Sequence, residues 1–193
     1  MFSADVDIDL PTNFNTQELF PNFKRASIVK NDFLSPHNCG HYIQNIPTDS
    51  ITGLAAIPFR EAEELGYLKL DFLHLHVYDY FNSRDEIDAL LDTEPDWGLL
   101  TIPDEQVKLF QLAKHGDVLS AIKPKNTEEL ADVLALIRPG KRQLLKLYRA
   151  QKEQTRKILY SKDENGFSFK KSHAICYAMV IQLQLHLITA GII

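Results

Sequence analysis

Three aspartates stand at alternate positions near the start of the chain, Asp5, Asp7 and Asp9 in ADVDIDL, and a further one stands close to a lysine in YLKLDFL, as Lys69 and Asp71. Alternation sends one set of side chains to one face of a strand. Val6, Ile8 and Leu10 would then face a core, and the carboxylates would share the other face, roughly 7 Å apart in succession. Like charges that close repel, so a cation or a proton must offset them. The stretch is either a divalent-metal face or the solvated side of an edge strand. If the two segments are neighbouring strands of one sheet, Asp7, Asp9 and Asp71 converge with Lys69 beside them. Carboxylate oxygens are the hard ligands that Mg²⁺ prefers, and two such ions about 3.5–4 Å apart stabilise the attacking and leaving oxygens of a phosphoryl transfer. Lys69 would balance triphosphate charge as a point cation.

Other groups of reactive side chains read differently. His37, Cys39 and His41 alternate in HNCGHY, a spacing too tight for tetrahedral zinc, and read as structural. His74, His76 and Asp79 continue the second strand and read as flanking structure. From Lys141 to Lys171 there are ten Lys/Arg against three acids, in a chain whose net charge is −5. Such a concentrated basic segment is either a contact for a polyanion or a solvated helix face. Arg142, Arg149, Lys152 and Arg156 are its candidates for duplex phosphates.

The elements that must position these residues are those of an α+β chain: a small sheet carrying the carboxylates, then a mostly helical lobe. Its 193 residues suffice for one domain or one domain with two lobes. PTNFNTQELFPNF is turn-rich with room for one helical turn, and SPHNCGHYIQNIPTDSITG reads as loop and strand. REAEELG predicts a short helix stopped by Gly66, and YLKLDFLHLHVYDYF predicts a strand throughout. DTEPDWGLLTIPD is the expected boundary, giving a first lobe over 1–91, a linker over 92–104 and a helical lobe over 105–193. Asn126 and Glu129 form a capping pair for a helix with Leu130, Val133, Leu134 and Ile137 on one face, stopped at Pro139-Gly140. A long basic helix from about Lys141 to Tyr160, a turn at KDENG and a final apolar helix follow. Gln182, Gln184 and His186 make that last helix a buried one rather than a membrane span. Two widely spaced cysteines and the lack of a secretory-type start predict a reducing, cytoplasmic setting.

Several of these segments together resemble the catalytic alpha subunit of bacterial replicative DNA polymerase III, the family C polymerases. ADVDIDL is similar to the family's P-D-[FI]-D-[VI]-D-F, GYLKLDFLHL to G-L-V-K-[FM]-D-F-L-G-L, NTEELADVLALIRPG to the stretch ending A-L-x-R-P-G, and GFSFKKSHAICYAMV to G-Y-x-F-N-K-S-H-A-x-x-Y-A-L-[VI]. The resemblance implies a palm-like catalytic lobe and a fingers-like helical lobe. It makes Asp7, Asp9 and Asp71 the catalytic and metal-binding triad, with Asp5 outside it, and Lys69 the triphosphate contact. Lys171, Ser172 and His173 become further nucleotide-binding residues. The implied activity is DNA-directed DNA polymerisation in replication, with two Mg²⁺ ions (Mn²⁺ as an alternative), primer–template DNA and deoxynucleoside triphosphates. The Gly/Ser-rich phosphate-holding turn expected before D-x-D, the Y-Q-E-Q segment and the arginine pair of the fingers have no counterpart here, nor have the phosphatase-like, β-binding and single-strand-binding modules. Further polymerase subunits are therefore expected to supply missing parts. The alternatives are a non-catalytic DNA-binding or interaction subunit, or another metal-dependent nucleotidyltransferase or nuclease.

Overall fold

The computed structural model describes residues 5–161 and 169–193; the expected turn at KDENG lies outside them. Two compact units, Met1–Tyr80 and Phe81–Ile193, divide the chain.

The first unit is built on one four-stranded sheet of order β1-β4-β3-β2. Its strands are β1 (Asp5–Leu10), β2 (Lys24–Lys30), β3 (Phe33–Tyr42) and β4 (Lys69–His74). Short helices α1 (Thr16–Leu19) and α2 (Phe59–Glu64) lie between them. β1 runs parallel to β4, with Asp5 opposite Lys69, Asp7 opposite Asp71 and Asp9 opposite Leu73. β2 and β3 form an antiparallel hairpin across Asn31-Asp32, both at positive φ. That backbone is the two-residue turn whose twist suits a hairpin, and Asn and Asp tolerate it. On the sheet face away from Asp71, Phe72 packs with Phe20 and Phe23, whose rings stack 4.5 Å apart. A separate small core gathers Ala26, Tyr42, Ile46, Ala55 and Ala62.

The strand expected through Phe81 stops at His74, and His76–Tyr80 is a 3₁₀ turn. The cause is Asp79, whose carboxylate accepts from the Thr12 backbone N–H at 2.6 Å and from the Thr12 hydroxyl. Reaching back to the end of β1 requires the chain to turn.

The second unit is helical. After α3 (Arg84–Leu91), α4 (Pro103–Gln106) and α5 (Gly116–Ile122), the buried helix α6 (Thr127–Leu136) packs against α9 (Lys171–Thr189). Asn126 caps α6 as expected, accepting from Glu129 N–H at 2.9 Å. The expected lobe boundary falls elsewhere. Gln182 of α9 donates to the Leu91 and Thr93 carbonyls at 2.9 and 3.2 Å, and Leu100 is fully buried. The segment expected as a linker is thus part of the helical core, and α3 belongs with it. No helix among the described residues is long and apolar enough to cross a membrane. The glutamines of α9 serve as expected of a buried helix, since Gln184 also holds Phe110 N–H and the Lys108 carbonyl.

The single long basic helix is not formed. A 3₁₀ turn (Arg142–Leu144), α7 (Leu145–Ala150) and α8 (Lys152–Leu159) replace it, with Gln151 non-helical at φ −145°, ψ 66°. A buried acid explains the break. Asp132 on α6, fully buried, accepts from Tyr148 at 2.6 Å, Arg156 Nε at 2.6 Å and Tyr160 at 2.9 Å. The chain bends at Gln151 so that groups from before and after it meet one carboxylate. Desolvating that charge without partners would cost several kcal/mol, on the order of 3–5 when one partner is lost.

Candidate functional site

Parallel register sends Asp7 and Asp71 out of the same sheet face on adjacent strands, about 4.8 Å apart in the pairing direction. Lys69 leaves β4 on that face too, and its ammonium pairs with Asp71 Oδ2. Both side chains are only 11% exposed, so this is an ion pair in a largely dry setting. Asp71 Oδ1 is buried and has no hydrogen-bond partner. A bare buried carboxylate oxygen is costly, and a cation is the group that would satisfy it. Asp9 accepts from the Tyr78 hydroxyl at 3.2 Å, and Asp7 is exposed.

Gly40 stands opposite Asp71 on the other side of β4. A Cβ there would come 2.8 Å from His37 Nδ1 and 2.9 Å from Lys69 Cδ. Only the missing side chain lets both approach. The register between β2 and β3 shifts between Arg25 and Ser27, so residues 37–40 bulge away from β2 while Gly40 keeps its place beside β4. Arg25 fastens the bulge, donating to the His37 carbonyl at 2.8 Å and to the Asn38 carbonyl. The bulge brings His37 Nδ1 to 3.8 Å from Asp71 Oδ1 and 3.9 Å from Cys39 Sγ. Phe59 of α2 covers the group, its ring 5.1 Å from that of His37 and 5.8 Å from Lys69 Nζ.

Charge states follow from these neighbours. Burial and the Lys69 ammonium hold His37 below its usual range, and His37 Nδ1 accepts from Gly40 N–H at 2.9 Å. Burial and the Asp71 carboxylate push the Cys39 thiol up to about 11. His41, the third member of the alternating set, turns away. Its Nδ1–H donates to the Cys39 carbonyl at 3.0 Å, its Nε2 accepts from Arg25 at 3.3 Å, and its ring meets Phe72. His76 and Asp79 pair at 2.7 Å as loop structure.

On the second unit, the four basic candidates fare unequally. Arg142 pairs with Asp117, Lys152 with Glu129 at 2.5 Å, and Arg156 with Asp132, Glu128 and Glu153. Arg149 makes no ion pair among the described residues, and lines a hollow of about 260 Å³ with Tyr148, Lys152, Glu129, Ala121 and Ile122. Lys171 pairs with Glu128 at 2.6 Å. Ser172 is the second residue of α9, and the ring of His173 lies edge-on to Phe169 and Tyr177. Two features escape a reading of the sequence alone: the meeting of His37 and Cys39 with Asp71, and the Asp132 hub. An acid set inside the apolar run LADVLAL is the signal for the latter.

Comparison of sequences places the chain in a family. Residues 59–187 match the model of the bacterial DNA polymerase III alpha subunit finger domain. The match takes in β4 with Lys69 and Asp71 as well as the helical unit. DNA polymerase III subunit alpha of Borreliella burgdorferi is 29% identical over 181 residues, covering 80% of this chain and 16% of the relative. The subunit alpha of Staphylococcus aureus strain Mu50 is 28% identical over 118 residues, 52% of this chain and 11% of the relative. The chain thus spans only a small part of the length of the curated relatives it matches. With the model matching well over half of it, the chain belongs to the bacterial DNA polymerase III alpha subunit finger-domain family.

Proposed function

We propose that this chain is a family C polymerase core or split subunit, with a palm-like first unit and a fingers-like second unit, that extends a primer 3′ end with deoxynucleotides. The observation that supports it best is the register of β1 on β4, with Asp7 opposite Asp71 and an unpartnered Asp71 oxygen beside Lys69. Oxygen-only donors on a rigid sheet suit magnesium, so Asp7, Asp9 and Asp71 are the residues that would hold it. Bound there, two Mg²⁺ ions would supply the charge that stabilises in-line phosphoryl transfer.

The chain's own groups do the rest. Lys69, already fixed against Asp71, balances the triphosphate, and Lys171, Ser172 and His173 contact the nucleotide. Arg149 is the readiest contact for duplex phosphate. Arg142, Lys152 and Arg156 serve DNA only by sharing or exchanging carboxylate partners, and Arg156 is chiefly a structural cation. The partners are primer–template DNA, deoxynucleoside triphosphates and further polymerase chains, in the cytoplasm.

A second reading, a non-catalytic DNA-binding piece of a larger polymerase, draws on the family match lying in the finger domain. Primer extension in Mg²⁺ separates the two. The first expects slow templated extension that Asp7→Asn abolishes. Salt-sensitive DNA binding without extension, unchanged by Asp7→Asn, would overturn it in favour of the second.

A further inference from the structure

We propose that His37, Cys39 and Asp71 form a site for a borderline divalent transition metal of the zinc class, with softer donors than the proposed magnesium site and competing with it for Asp71. Among the described residues, His37 Nδ1, Cys39 Sγ and an Asp71 oxygen all lie within 4.8 Å of one another. Zinc takes imidazole nitrogen at about 2.0–2.1 Å, thiolate at about 2.3 Å and carboxylate oxygen at about 2.0–2.2 Å. A tetrahedral ion with those bonds spans its ligand atoms by roughly 3.4–3.6 Å. The two His37 pairs stand at 3.8 and 3.9 Å, with up to 4.8 Å across the set, so binding must draw the sulfur and the carboxylate together. Three protein ligands would leave a fourth position for water or another ligand.

Three independent features say that the cluster is built and not accidental. Asp71 Oδ1 is buried without a hydrogen-bond partner and faces His37. Gly40 omits the Cβ that would push His37 out. Arg25 pins the carbonyls of His37 and Asn38, fixing the bulge that sets His37 and Cys39 at one point. Sulfur and imidazole are poor magnesium ligands, so the cluster selects a softer ion.

Binding forms a metal–sulfur bond as the thiol proton leaves to solvent, and a metal–nitrogen bond as His37 Nδ1 gives up its hydrogen bond from the Gly40 N–H. The imidazole must turn away from that amide, whose N–H then needs water or another acceptor. Lys69 stays on Asp71 Oδ2 and leaves Oδ1 to the ion, so this ion and magnesium are alternative occupants of that oxygen. The ion would staple the β3 bulge to β4.

Cobalt(II) titration of the full chain tests this, because a cobalt–thiolate bond gives a near-ultraviolet charge-transfer band that needs no polymerase activity. The expected result is a band saturating at one equivalent, removed by zinc, lost in Cys39→Ser and kept in Cys176→Ser. Alkylation of the wild type gives a second readout that needs no variant. Zinc should protect the half-buried Cys39 while the exposed Cys176 reacts unchanged. No band, a band that survives Cys39→Ser, or alkylation of Cys39 that is measurable without zinc and unchanged by it would overturn the site. Any of these results leaves the polymerase reading standing, since primer extension is measured separately.

Discussion

Lys69 and Asp71 are the pair on which most turns at the scale of single residues. Their charges neutralise each other in a setting where neither is more than 11% exposed. Lys69→Met should therefore destabilise the first unit by about 3–5 kcal/mol, by leaving Asp71 uncompensated. If Asp71 is a metal ligand, millimolar Mg²⁺ should recover part of that loss by binding the folded form. Urea unfolding with and without Mg²⁺ measures both, and a variant indifferent to Mg²⁺ would count against Asp71 as a ligand. His115 gives a pH prediction in the second unit. Burial, then the Arg142 guanidinium donating to its Nδ1 at 3.3 Å, holds its pKa below the usual 6.5. The unfolded chain therefore takes up the proton first, and the stability tied to neutral His115 is complete above about pH 6.5 and lost as pH falls toward the folded value. The urea midpoint of the wild type should drop more between pH 7.5 and 5.5 than that of His115→Gln.

At the scale of elements, the β3 bulge and the α7–α8 break carry the local architecture. Gly40→Ala should displace His37 or Lys69 and cost about 1–3 kcal/mol, as overpacking does. A thermal shift assay would show it, and an unchanged midpoint would mean the bulge yields freely. Arg156→Ala should cost the second unit about 3–5 kcal/mol, because Asp132 is fully buried. Tyr160→Phe removes one of three hydrogen bonds to the same carboxylate and should cost about 1 kcal/mol. Chemical denaturation ranks the two, and equal losses would contradict the hub.

Much of this was legible in the amino-acid order. Alternation marked β1 and β4 because charged and apolar side chains leave opposite faces of a strand, although the charged face of β4 is itself largely covered and Val6 on the apolar face of β1 is exposed. Asn126 with Glu129 marked the start of α6 because a cap needs a side-chain acceptor. The β2–β3 hairpin was harder, since KRASIVK alternates poorly and its turn is the less common Asn-Asp. Helical propensity over 141–160 gave no hint of the bend at Gln151. Its cause is a carboxylate some twenty residues upstream, a tertiary demand that local preference cannot register. The same holds for His37 and Cys39, whose third partner lies on another strand.

At the scale of the whole molecule, two units divide the work that the family reading assigns. The carboxylates and Lys69 lie in the first, and the basic helices and the start of α9 lie in the second. The family match begins at residue 59, so it joins β4 to the helical unit and leaves β1 outside. Asp7 and Asp9 therefore rest on register and resemblance, whereas Asp71 lies within the matched region. The most direct measurement is single-turnover primer extension with Mg²⁺ by the wild type, Asp7→Asn and Asp71→Asn, on one template. The account predicts template-dependent incorporation by the wild type and its loss in both variants. Extension that survives either substitution, or a wild type that binds DNA and extends nothing, would contradict it.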